Sequence, residues 1–314
     1  FTVGRSPVKW GPGRFGALLL SDNAPLDGVV ISFPLGDVDY TQLIAARDVT
    51  ESQYLLGHRI EWAPRKGMTL GISETLAFSR GFKLSPAYIM PALPYHFVQY
   101  FAIHGDSRQD RYTNVLAGVD ARLELSRALE LYGEFLADDF PWSPSTWGRV
   151  PPMVGLLLGF ELRDVPWLGY STLSAEYARI NNYVYSHKNP DNAYLHRGEL
   201  LGHWLGPDAD ALCIEVSRRV SNSLDLAAKA RFERHGEGRV GQSWRREYGV
   251  RDQFLSGIIE TRKVLGVAAT WPYMKVSAEI ASLSNADHIP GESRLTGEVG
   301  VSVWWHFGSA ANRE

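Results

Sequence analysis

The chain alternates. In Leu129 to Asp138 (LELYGEFLAD), Leu129, Leu131, Phe135 and Ala137 fall on one side of an extended backbone, and Glu130, Tyr132, Glu134 and Asp138 on the other. Successive side chains of a strand point to opposite faces, so a period of two predicts strands rather than helices. The same split precedes it, with Val119, Ala121, Leu123 and Leu125 against Asp120, Arg122 and Glu124. It returns later, where Leu224, Leu226, Ala228, Ala230 and Phe232 oppose Asp225, Lys229, Arg231, Glu233 and His235. Segments of about 10 residues or more exceed the globular norm and match a tilted bilayer crossing. A soluble sandwich with its polar face turned outward is the competing reading of the strands alone.

The connections decide between them. Short turns at Pro64-Arg65-Lys66-Gly67 and Ser221-Asn222-Ser223 alternate with long irregular stretches at 80–110, 139–150, 181–207 and 236–250, as in outer-membrane barrels. Aromatics gather at strand ends: Trp142, Trp147, Trp167, Tyr170, Trp271, Tyr273, Trp304 and Trp305. The closing GEVGVSVWWHF puts Val299, Val301, Val303, Trp305 and Phe307 on one face, the form of a terminal barrel strand. The expected fold is therefore all-β: one domain over 1–314, a transmembrane antiparallel β-barrel of roughly 12–16 strands, multi-pass in the cell outer membrane with lipid around it. Segment 80–105 breaks the rhythm with Pro86, Pro91 and Pro94, and is expected to fold inward or to cap a neighbour.

Composition agrees: 10 Trp, 14 Tyr and 13 Phe stand beside 30 Gly, which suits a wall with one apolar and one polar face. No uninterrupted apolar run is long enough for a membrane helix. A net charge of -3 offers no global field for nucleic acid. The single cysteine, Cys213, excludes an internal disulfide and a four-cysteine metal site. The chain opens on Phe1 without a basic and then apolar leader, and reads as a mature or truncated form.

Candidate chemistry is thin. Gly11-Pro12-Gly13-Arg14-Phe15-Gly16 spells GxGxxG, yet Pro12 removes a backbone donor and no strand-helix-strand pattern surrounds it. His196, Glu199 and His203 could be drawn as metal ligands but fit no HExxH order, and Asp208 with Asp210 is too little for calcium. There is no GxSxG, and Ser21-Asp22 lacks a placed histidine. No catalysis, cofactor or metal is expected. The polar strand faces instead predict a lumen lined by Glu130, Glu134, Glu161, Arg163, Glu215, Arg219, Lys229, Arg231, Glu260, Arg262, Lys275 and Glu279. Ladders of mixed sign can brace a wall, narrow a pore or grip a hydroxyl-rich polymer, and the sequence leaves all three open.

Three stretches carry a family resemblance. WGPGRFGALLLSDNAP (10–25), LSAEYARINNYVYSH (173–187) and AYLHRGELLGHWLGPDAD (193–210) resemble the Wzi-like capsule assembly proteins, outer-membrane β-barrels associated with holding capsular polysaccharide on the cell surface. The resemblance implies lectin-like, non-catalytic recognition of surface or capsular polysaccharide, with Trp10, Arg14, Asp22, Asn23, Glu176, Tyr177, Arg179, His203 and Asp208 as candidate glycan contacts. Beside it stands a purely architectural reading, in which Trp10 to Asn23 is a constrained turn whose glycines allow close backbone approach. A porin passing small solutes through the mixed-charge lumen is the rival function. A structural subunit with envelope protein partners is a third.

Overall fold

The computed structural model describes residues 1–90, 93–98, 112–139, 149–249 and 254–304. Fourteen of its strands form one antiparallel sheet in which each pairs with its neighbours along the chain. They are β1 (Thr2–Ser6), β2 (Leu26–Leu35), β3 (Val38–Asp48), β4 (Gln53–Arg65), β5 (Met68–Phe78), β6 (Thr113–Glu124), β7 (Leu129–Asp139), β8 (Met153–Val165) and β9 (Ser171–Ile180). A small hairpin follows, β10 (Leu195–His196) with β11 (Glu199–Leu200), and then β12 (Ala209–Ser221), β13 (Leu224–His235), β14 (Glu260–Trp271), β15 (Met274–Ser284) and β16 (Ser293–Val303). Among the described residues β1 pairs only with β2 and β16 only with β15, so the two edges of the sheet are not joined. Apart from β1, the wall strands run 10 to 13 residues. At about 3.4 Å per residue and a barrel tilt, that length crosses a hydrocarbon core of roughly 30 Å.

The connections sort onto two rims. Those at 36–37, 66–67, 125–128, 166–170, 222–223 and 272–273 are short, whereas the opposite rim carries 7–25, 79–112, 140–152, 181–208 and 236–259, which are long, beside the shorter 49–52 and 285–292. Trp167 and Tyr170, 77% and 72% exposed, stand at the short-turn rim, and Trp271 and Tyr273 flank another turn of that rim. Trp142, Trp147, Trp305 and Phe307 lie outside the described residues.

Register and parity separate two faces. The face that carries residues 7–25 is the inner one, and across β6, β7 and β8 it receives Asp120, Glu134 and Leu157 in one row and Glu124, Glu130 and Glu161 in another. The opposite face presents Val119, Phe135, Leu156, Leu212, Leu265, Val299 and Val301, all exposed. Apolar side chains are stable there only against lipid, which is why these strands alternate so cleanly.

The segment expected to fold inward or to cap a neighbour takes the capping position. Its described part, residues 80–90 and 93–98, lies against the outer face of β4–β6, where Tyr88 and Tyr95 join Leu56, Leu76 and Phe78 in a cluster of their own. On that outer face β3, β4 and β5 also carry Gln42, His58 and Glu74, side by side in register. Tyr95 covers them: its N–H donates to Glu74 Oε2 at 2.6 Å, its hydroxyl accepts from Gln42 Nε2 at 3.3 Å, and its ring lies 4.3 Å from the His58 ring. Inward folding is blocked because residues 7–25 already fill the bore beside β4, and three polar groups facing lipid require a cover. Truncation of Tyr95, fully buried, opens a cavity over those groups. Tyr95→Ala is expected to cost about 3 kcal/mol, read as a lowered denaturant midpoint of the folded barrel in detergent, while Phe97→Ala, at an exposed position, leaves it unchanged.

Candidate functional site

The connection 7–25 leaves β1 at the long-loop rim and dips into the bore before returning to β2. Its shape is held by a bridge in which Trp10 N–H donates to the Leu20 carbonyl at 2.9 Å. The indole lies against Gly57 of β4, where an added Cβ would fall 2.7 Å from the ring. The glycine-rich turn beyond it donates backbone N–H groups to two wall carboxylates. Glu134 accepts from Gly13 at 2.8 Å and Leu18 at 2.7 Å. Glu176 accepts from Arg14 at 2.6 Å and Phe15 at 3.3 Å, and from the Tyr132 hydroxyl at 3.1 Å. Between them the two carboxyl groups accept four backbone N–H donors and one hydroxyl. Gly11 has φ +126°, and a Cβ there would meet Glu134 Oε1 at 2.3 Å; at Gly13 it would meet the Gly16 carbonyl at 2.0 Å. The loop does cradle an anion as its glycines suggest, and the anion is the barrel's own wall.

Below this turn the Arg14 guanidinium pairs with Glu161, which also accepts from Arg163 Nε at 2.6 Å. Arg163 and Arg122 both donate to Glu130, at 2.8 and 2.7 Å. Arg59 on β4 bridges to Asp120 on β6 across Ser73 of β5. These are the cross-strand ladders that the alternating charges imply, formed where two strand faces bring opposite signs into register.

The second long connection, 181–208, closes the bore from above. Tyr185 stacks on Tyr194 at 5.8 Å and donates its hydroxyl to the Leu18 carbonyl at 2.5 Å, while Tyr194 reaches Thr75 Oγ1 at 3.0 Å. Trp204 Nε1 donates to the Phe15 carbonyl at 2.6 Å. Asn23 Nδ2 donates to the Gly202 carbonyl at 2.7 Å and Ser21 N–H to Leu201 at 2.7 Å, so the two connections are bonded to each other. Arg47, buried on β3, donates to the carbonyls of Asp191, Ala193 and Leu195, satisfying a guanidinium in the interior with backbone alone. Asp208 in turn accepts from Gly238 N–H at 2.9 Å and Ser256 N–H at 3.1 Å, tying the 236–259 connection to the same assembly, and burial raises its carboxyl above the ordinary range.

The candidate glycan contacts are therefore not one constellation. Trp10, Glu176, His203 and Asp208 are buried inside this packing, Arg14 is engaged with Glu161, and Asp22 and Asn23 are exposed beside the hairpin of β10 and β11. Tyr177 and Arg179 stand apart from these: they alternate with Glu176 along β9 and so face outward, Tyr177 donating to Asp210 at 3.0 Å and Arg179 lying 3.8 Å from the centre of the Phe254 ring. The lumen set Glu130, Glu134, Glu161, Arg163, Glu215, Arg219, Lys229, Arg231, Glu260, Arg262, Lys275 and Glu279 takes inner-face positions by register. Lys229 stands 5.1 Å from the Phe15 ring and Arg231 5.0 Å from the Trp204 ring, whereas Lys275 and Glu279 are exposed on the uncovered inner face of β15. Arg47, Tyr185, Tyr194 and Trp204 escape a reading by motif, because each acts on a distant backbone carbonyl or hydroxyl that alternation does not reveal.

Fold and site together define an outer-membrane type of β-barrel whose bore is packed by its own long connections. Residues 1–288 match the family described as capsule assembly protein Wzi, and the chain belongs to that family. No curated protein matches the chain. Among solved structures, one described as a FadL homologue of Pseudomonas aeruginosa is similar at 10% identity, covering 96% of this chain and 84% of that one with a TM-score of 0.34.

Two outcomes test the packing. Glu134→Ala strands the N–H groups of Gly13 and Leu18 and is expected to cost about 3 kcal/mol in denaturant unfolding, with Glu134→Gln milder because one amide oxygen still accepts. Burial pushes the His203 imidazole down to about 3, so the folded chain refuses a proton that the unfolded chain takes up near 6.5. The unfolded state binds more protons across that window, and stability falls as pH drops from about 6.5 toward 3, by at most about 1.4 kcal/mol per pH unit. His203→Gln should reduce that slope, measured by unfolding midpoints at pH 6, 5 and 4.

Proposed function

We propose that this barrel holds or organises surface polysaccharide at its long-loop rim in a lectin-like, non-catalytic way, standing in the cell outer membrane with its short turns toward the periplasm. The observation that carries the reading is the grip of Glu134 and Glu176 on the turn at 13–18. Four backbone donors fixed to the wall turn a long connection into a rigid floor, and the apolar cluster from Trp10 to Leu205 fills the bore above it. A filled bore favours a surface for holding over a channel for passage. The rim around it offers hydroxyl-matching groups, with Asp22, Lys188, Glu199 and Gln242 exposed and Tyr248 47% exposed. Carboxylates, amides and an aromatic face are the chemistry by which saccharides are recognised. Family membership supports the same role, since capsule assembly places a polysaccharide at the cell surface.

The test pairs a glycan array with planar-bilayer recording on detergent-purified protein. The reading expects a silent barrel and saccharide binding weakened several-fold by Asp22→Ala at unchanged heat resistance. Arg14→Ala, which breaks the pair with Glu161, is expected to lower heat resistance first. Large steady currents with no saccharide retained would instead favour a porin.

A further inference from the structure

The outer wall near the long-loop rim carries charge where lipid contact calls for apolar side chains. Arg179 on β9, Asp210 on β12 and Arg234 on β13 are aligned in register on that face, and Lys263 on β14 sits one row toward the membrane, opposite Phe232. Asp210 accepts from Arg234 Nε at 3.0 Å and Nη2 at 2.5 Å and from the Tyr177 hydroxyl, so it orients one guanidinium and leaves that group's other donors facing outward. The Arg234 side chain is 44% exposed, and Lys263 is exposed. Arg179 is held by Asn181 Oδ1 at 3.2 Å and by the Phe254 ring, so Arg234 and Lys263 are the cations that this face presents at headgroup depth, against the single carboxylate of Asp210.

Directly beneath lies a groove. Ala228 and Ala230 of β13 form its floor, Ile214 and Val216 of β12 one bank, and Leu265 and Val267 of β14 the other, enclosing about 610 Å³. A second groove of about 600 Å³ continues from Val216, Ala228 and Val267 toward Leu226 and Trp271 at the short-turn rim. The furrow runs along β13 in the direction an acyl chain takes through a leaflet, and its upper mouth opens below Phe232, Lys263 and Arg234. The charge above and the furrow below are complementary to two parts of one molecule.

We infer that the outer wall of β12, β13 and β14 binds a phosphate-bearing lipid of the surrounding leaflet, its headgroup on Arg234 and Lys263 and an acyl chain in the groove over Ala228 and Ala230. Guanidinium groups suit phosphate because their planar donors match its oxygens, and the ammonium adds a point charge. The site is separate from the polysaccharide reading and depends only on the barrel standing in a membrane.

The experiment titrates the detergent-solubilised barrel with bisphosphorylated lipid A, its dephosphorylated form and inorganic phosphate, reading bound lipid by native mass spectrometry and the shift in melting temperature. The expected result is one tightly held phosphorylated lipid, with binding about tenfold weaker in Lys263→Gln and in the paired Asp210→Asn with Arg234→Gln, which removes the ion pair without orphaning a charge. Ala228→Leu fills the furrow and should weaken binding with every charge in place. Lys263 and Ala228 are exposed, so these two variants keep the test intact if the paired one fails to fold. Equal affinity for the dephosphorylated lipid, or undiminished binding by Lys263→Gln and Ala228→Leu, overturns the inference. So does a melting shift reproduced by inorganic phosphate alone, which would mark a site for free anions.

Discussion

The interior of this barrel rests on backbone N–H groups donating to carboxylates built into its wall. Glu134 and Glu176 project from neighbouring parts of the sheet and between them receive Gly13, Arg14, Phe15 and Leu18. A chain entering a barrel must satisfy every backbone donor it buries, and a strand wall has already spent its own carbonyls on the ladder. Carboxylates on the inner face supply the missing acceptors. Once the turn at 13–18 is fixed, its carbonyls become acceptors in their turn for Tyr185 and Trp204, and the 181–208 connection can settle on top. The order of dependence runs from wall to first connection to second, and the glycines at 11 and 13 permit the first contact because no Cβ fits there.

Much of the wall was legible in advance, and for a physical reason. A face turned to lipid must be apolar and its neighbour is free to be charged, so Leu129 to Asp138 and Leu224 to His235 announce both their conformation and their sidedness. The lengths of the connections were equally plain. What each long connection does was not. The prolines after β5 leave open whether that stretch plugs the bore or caps a neighbour, and it caps the outer face, where Gln42, His58 and Glu74 need Tyr95 over them. Within the recognisable stretch at 173–187, alternation divides Glu176 from Tyr177 and Arg179. Arg47 shows the remaining gap: a buried guanidinium serving carbonyls some 145 residues away has no local signature.

The two sides of the sheet therefore do different work. Inward, ion pairs such as Arg59 with Asp120 and Arg163 with Glu161 brace strands against one another and against the enclosed turn. Outward, polar groups interrupt the apolar face in places, among them one sealed by an aromatic segment of the same chain, one left open above an apolar furrow, and the Arg5–Asp27 pair on β1 and β2. A wall so divided belongs to a chain of the capsule assembly protein Wzi family.

The mutual stitching of the two inward connections has a mechanical consequence. Asn23 and Ser21 are bonded to the backbone at 200–202, and Arg47 holds the backbone at 191–195 against β3. Tension applied to either connection is shared by the other before it reaches a strand, and it then enters the sheet at β2, β3, β9 and β12 together. Loaded this way, many ladder bonds resist in parallel, where a lone hairpin tip would unzip one pair at a time.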